Sequence, residues 1–189
     1  MPMRWLAPAA RWRAEGSTLE LVAHPRTDWF VDPSGGREPM LDGAALVGDA
    51  TGDFMFSARV TVGFAATFDA GVVLLHVSDT VWAKLCFEFS PQKEPMVVSV
   101  VTRGTSDDAN GFVLDGDAVW LRIARMGTAL AFHASTDGAE WKLIRHFTLG
   151  DVEPAVGFEA QSPTGEGCDV RFDEIQFEQR RLGDLRDGS

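Results

Sequence analysis

The run from Asp69 to Arg103, DAGVVLLHVSDTVWAKLCFEFSPQKEPMVVSVVTR, constrains the fold more than any other part of the chain. It holds three stretches of alternating character, VVLLHVS, VWAKLCFEF and MVVSVVTR, joined by SDT and SPQKEP. Successive residues of a strand point to opposite faces, and the Ser, Asp and Pro of the joints are turn formers. Three consecutive antiparallel strands are therefore expected. Val73, Leu75, Val77, Val81, Ala83, Leu85, Phe87 and Phe89 are predicted to face inward. The other face carries Trp82, Lys84, Cys86 and Glu88, with His76 outward on the preceding strand, and Ser99 and Arg103 are assigned to it as well. A charged, aromatic face in the middle of a sheet is where a function is expected.

The same period recurs along the chain. In FMFSARVTV, Phe54, Phe56, Ala58, Val60 and Val62 share one side. Ser17–Ala23 and Thr27–Val31 read as shorter strands, and Pro33, Gly35 and Gly36 mark a loop after them. Asp42–Gly52 is rich in small residues and has no clear period. GTSDDANG reads as a polar loop. Ala118–Arg125 and Thr128–Ser135 form a hairpin, and Asp137-Gly138 signals a second one. In CDVRFDEIQFE, Val170 and Phe172 share a side, whereas Ile175 and Phe177 fall on the other, so a bulge near Asp173–Glu174 is predicted. Residues 1–179 are read as one domain and 180–189 as a frayed tail. About a dozen short, evenly spaced strands without an amphipathic helix predict an all-β fold of two facing antiparallel sheets.

Composition removes several function classes. Acidic residues outnumber basic ones 28 to 17, for a net charge of −11. A protein that neutralises phosphates needs clustered Lys and Arg, so neither nucleic acid nor an anionic membrane is expected as a partner. No stretch approaches the roughly 20 apolar residues that span a bilayer. MPMRWLAPAARWRAEG lacks the continuous apolar run of a signal peptide, so a cytoplasmic location is expected. Cys86 and Cys168 do not have metal-ligand spacing, and His24, His76, His133 and His146 are scattered. No catalytic metal or cofactor is predicted.

The segments DWFVDPSGG, GDFMFSARVTV, DAGVVLLHVSDTVWAKLCFEFSP, VVSVVTRGTSDDANG, FHASTDGAEWKLIRHF and VGFEAQSPTGEGCDVRFDEI together resemble a known family. It is the bacterial and fungal family of concanavalin A-like sandwich proteins of unknown function, sometimes called the "regulation of enolase" type. The resemblance covers Trp5 to Phe177. It implies a jelly-roll sandwich with a concave sheet, the architecture of legume lectins and laminarin-type glucanases, and it implies no reaction.

On that expectation the concave face is a lectin-like cleft. Trp82 would stack on a sugar ring, since an exposed indole offers a flat apolar platform with one N–H donor. Lys84, Glu88, Arg103, His76, Ser99, Gln161 and Glu159 would bind hydroxyls, with Asp107 and Asp108 in an acidic turn at the rim. The bland alternative makes Trp82 a covered residue and the charges surface ion pairs of little worth. Glycoside hydrolysis needs two carboxyl groups roughly 5–5.5 Å or roughly 6.5–9.5 Å apart. The Glu-x-Asp-x-x-Glu strand motif of the glucanases is absent here. SDDANG lacks the spaced ligands of a calcium loop, and calcium near Asp173 rests on analogy with sugar-binding sandwiches. Non-catalytic binding of a carbohydrate or small polar metabolite is the favoured reading. A protein-interaction module linked to carbohydrate metabolism comes second and a glycan-processing enzyme third.

Overall fold

Alternating apolar residues build two seven-stranded antiparallel sheets that pack face to face in the computed structural model, which describes all residues from Met1 to Ser189. Strands are numbered in chain order. The first sheet runs β1 (Met3–Ala7), β6 (Ala44–Asp49), β15 (Ala155–Gln161), β8 (Ala70–Ser78), β9 (Val81–Phe89), β10 (Pro95–Arg103) and β11 (Thr105–Val113). The second runs β14 (Lys142–Thr148), β13 (Ala129–Ser135), β12 (Ala118–Met126), β7 (Phe54–Val62), β16 (Asp169–Glu178), β3 (Thr18–Val22) and β2 (Arg11–Glu15). A small hairpin, β4 (Trp29–Phe30) and β5 (Met40–Leu41), belongs to neither. No helix is long and apolar enough to cross a membrane.

The inner faces of both sheets meet in one core. Phe56, Leu75, Leu85, Phe87, Leu121, Phe132 and Phe172 are fully enclosed there. Phe158 and Phe172 bring their ring centroids to 4.7 Å across the layer. Each such side chain contributes about 1.5–3 kcal/mol by leaving water, which fixes which face of each strand turns inward. The predicted bulge is present: pairing of β16 with β7 slips between Asp173 and Gln176, and Glu174 adopts a φ of 49°.

Four expectations are corrected. β1 and β2 precede the first expected strand; both are edge strands, and every residue of β2 is exposed, so no apolar alternation marks them. Asp42–Gly52 contains β6, an interior strand whose small residues pack closely. GTSDDANG is not a loop but most of β11, paired with β10 from Arg103↔Thr105 to Met96↔Val113. Asp, Asn and Gly are poor strand formers, and here pairing with a strong neighbour overrides that preference. The terminal segment is docked rather than frayed. Leu182 is buried with Met55, Ala124 and Ala131 on the outer face of the second sheet. The His133 ring donates from Nε2 to the Leu185 carbonyl at 2.8 Å, and Arg122 donates to the carbonyl of Gly188.

Candidate functional site

The register of the first sheet decides which side chains share its outer face. His76, Trp82 and Thr102 lie side by side across β8, β9 and β10, as do Leu74, Lys84 and Val100. Val72 joins Cys86 to Glu159 of β15, and Ala70 joins Glu88 to Gln161. Asp108 of β11 stands beside Val100. The outer face thus brings together His76, Trp82, Lys84, Glu88, Asp108, Glu159 and Gln161, all expected at the site. It does not hold Ser99, Arg103 or Asp107. Ser99 pairs with Leu85, Arg103 with Val81 and Asp107 with Val101, all on the side facing the second sheet. There the Arg145 guanidinium donates to Asp107 Oδ1 at 2.7 Å and to the Ser99 carbonyl at 3.3 Å, while Arg103 donates to the Thr148 carbonyl. These residues tie the two sheets together at the rim.

Trp82 is not a platform. It is fully buried beneath Trp29, whose ring stands edge-on to it at 5.8 Å between centroids. The Trp29 indole N–H donates to the Gly43 carbonyl at 2.9 Å, and both the Asp42 and Gly43 amides donate to the Asp28 carbonyl. Val31 completes the cover by exchanging hydrogen bonds with Ser106 of β11. The segment from Asp28 to Gly43, with the β4–β5 hairpin inside it, therefore lies across one end of the sheet face. Indole stacking on a ligand is excluded in this arrangement, because neither face of Trp82 meets solvent.

Beside the covered tryptophan lies a buried polar cluster. Lys84 is 2% exposed, and its Nζ donates to Asp28 Oδ1 at 2.8 Å and to Gln161 Oε1 at 2.7 Å. Gln161 in turn donates to the Phe68 carbonyl. Burial, the largest single effect, works against the ammonium, but the charge and hydrogen bond of Asp28 together with the neighbouring Glu159 and Cys86 outweigh it and hold the Lys84 pKa above its ordinary value. Glu159 is fully buried and neither carboxyl oxygen has a hydrogen-bond partner. Burial pushes its pKa up to about 8, with Lys84 opposing in part. Glu88, half-buried, is likewise pushed up to about 8 by burial. A Cβ built on Gly43 would lie 2.5 Å from Glu159 Oε1, so only glycine lets the covering segment close over that carboxyl.

Sequence reasoning missed Asp28, Trp29 and Gly43. All three belong to the cover, which is a long-range contact; the Asp-Trp pair heading a Pro/Gly-rich loop is the one local sign of it. Cys86 lies on the same face, and burial raises its thiol well above the ordinary value. Cys86 and Cys168 are both free thiols. Replacing Lys84 with Met is expected to cost about 3 kcal/mol, because Asp28 keeps a part-buried charge without a partner. Chemical denaturation at pH 7 measures this, and the double variant with Asp28→Asn should recover part of the loss.

Among solved structures, a functionally unknown protein from Saccharomyces cerevisiae superposes with a TM-score of 0.86 at 24% identity, covering 93% of this chain and 95% of that one. A GH43 protein from Bacillus licheniformis gives 0.74 at 12% identity over 93% of this chain and 36% of its own. A polysaccharide lyase family 18 structure gives 0.57 at 13% identity over 93% of both chains. At these identities the likeness is one of fold, and the chain spans about a third of the length of the GH43 enzyme. No curated protein matches the sequence. The family model for DUF1349, described as a protein of unknown function, matches residues 5–180, and the chain belongs to that family.

Proposed function

We propose that the outer face of the first sheet binds a small polyhydroxylated molecule, a saccharide, at the end that the Asp28–Gly43 segment leaves uncovered. The observation that carries this reading is the rim of the Lys84 cluster: Glu88 is half-buried beside the ammonium that Asp28 and Gln161 hold, and Asp108 is exposed on the same face. With its pKa near 8, the Glu88 carboxyl is largely protonated at neutral pH, so it donates as well as accepts. That versatility suits sugar hydroxyls, which do both. Glu88 and Asp108 lie at the surface of this face and would meet the ligand first. Solved structures of the same fold include a protein named xylan β-1,4-xylosidase and the polysaccharide lyase, which makes fragments of xylan and other polysaccharides the first class to test.

Binding is favoured over hydrolysis by the placement of the two glutamates. Glu88 and Glu159 sit on separate strands, β9 and β15, with β8 between them. Glu159 is also sealed from water under Gly43. The test is an oligosaccharide array followed by calorimetry. Glu88→Gln is expected to weaken the best ligand about tenfold or more, near 1.4 kcal/mol, with no fall in the melting temperature, since the variant also removes a half-buried carboxyl that resists ionisation. A blank array with wild-type protein, or a Glu88→Gln variant that binds equally well, defeats the saccharide reading.

A further inference from the structure

A second concavity lies elsewhere, on the outer face of the second sheet. It is a groove of about 510 Å³ over β2, β3, β16 and the end of β7. Cross-strand pairing sets Arg13, Glu20, Arg171 and Thr61 in one row, and Arg11, Val22 and Asp169 in the next. Three guanidiniums thus surround a groove on a chain whose net charge is −11. They are unequally engaged. Arg171 is held by Asp173 at 2.9 Å and Glu20 at 3.3 Å, and Arg13 reaches Glu15. The Arg11 guanidinium makes no hydrogen bond, its nearest carboxylate oxygen being that of Asp169 at 3.9 Å. Its planar fork of donors is open to a carboxylate. Arg13 stands two residues along the same edge strand, roughly 7 Å away.

We propose that this groove is a second ligand site, for a sugar acid whose carboxylate docks between Arg11 and Arg13 and whose hydroxyls donate to Glu20 and Asp169. The interleaved acids argue against a phosphate dianion, which they would repel, and favour a single carboxylate on a polyhydroxylated frame. The size suits one or two pyranose rings, and pockets of 300–1,000 Å³ are the usual range for small ligands. Gly63 keeps the floor of the groove low. A Cβ built there meets only the Asp169 carbonyl oxygen at 3.5 Å and the Asp169 Cβ at 3.8 Å, which are ordinary contacts. A larger side chain at this position therefore fits the backbone and fills the space a ligand would take.

The test is amide chemical-shift mapping of the full chain with D-glucuronate, D-glucose and inorganic phosphate. Glucuronate is expected to shift amides of Arg11–Glu15 and Asp169–Arg171, and glucose and phosphate at the same concentration to leave them in place. Gly63→Val and the Arg11→Ala/Arg13→Ala pair should each weaken glucuronate at least tenfold, while Glu88→Gln leaves it unchanged. The site is overturned if glucuronate produces no shifts there or if Gly63→Val binds as wild type does. It is equally overturned if phosphate reproduces the pattern or if Glu88→Gln abolishes it.

Discussion

Replacing Trp82 by alanine is expected to destabilise the protein by about 3–5 kcal/mol, the range for emptying a buried aromatic site. In a chain of this length each kcal/mol lowers the melting temperature by about 2–4 °C, so a fall on the order of 10 °C should appear in a thermal scan. The reason lies in the cover. Trp82 packs edge-on against Trp29, which in turn stands edge-on to His76 at 5.4 Å. Truncation removes the surface that Trp29, Val31 and Leu41 close upon. The Trp82 indole N–H has no partner, so little hydrogen bonding is lost and the effect is one of packing. A surface tryptophan used only to stack on a ligand would change stability by about 0.5 kcal/mol or less when removed. A shift below about 2 °C would therefore mean that Trp29 does not seal this end of the sheet in solution.

The protein is expected to grow more stable as the pH falls from 8 towards 5, opposite to a fold held by ionised carboxylates. Glu159 and Glu88 have native pKa values pushed up to about 8, against about 4.5 when unfolded. Below pH 4.5 both states hold these protons and no penalty exists. As the pH rises past 4.5 the unfolded chain releases them while the native state retains them, so stability falls by up to about 1.4 kcal/mol per pH unit for each carboxyl. The loss levels off above pH 8, once the native groups ionise too. Asp32, Asp137 and Glu153 act in the other direction: hydrogen bonds from Ser34, Glu140 and Arg125 hold their pKa values down, and that stabilisation is lost below about pH 4. His76 and His133, whose pKa values burial lowers, oppose the rise below about pH 6.5, so denaturant titrations are expected to show stability climbing from pH 8 and levelling in mildly acid solution. Glu159→Gln should flatten the slope between pH 5 and 8; an unchanged slope in that variant would place the titrating group elsewhere.

The legible part of the molecule was the part written in period two. β7 to β10, β12, β13 and β16 followed from alternation, and even the bulge at Asp173–Glu174 could be read from a change of parity between Phe172 and Ile175. Edge strands were harder, since β2 and β11 have little to bury and carry polar residues on both sides. For the site, alternation within β9 correctly grouped Trp82, Lys84 and Glu88. It could not carry that grouping over to Ser99 and Arg103, because register between strands is set by the turn and not by either strand alone. Nor could it show that Asp28 and Trp29, more than fifty positions before Lys84 and Trp82, return to cover them. A charged residue on an alternating strand looks the same in sequence whether water or another segment lies above it.

The docking of the last residues has a consequence for how this chain can vary. The groups that hold the segment are side chains of the sheet, Arg122 and His133, while the segment itself offers mostly main-chain carbonyls at Leu185 and Gly188. Any amino acid supplies a carbonyl. Apart from the apolar anchors at Leu182 and Leu185, and Gly188, whose φ of 76° and closeness to Trp141 require glycine, the letters of this stretch are free to drift while its address on the sheet persists, and the family likeness does in fact stop at residue 180. Kinship in that region should be sought in the receiving surface, not in the visitor.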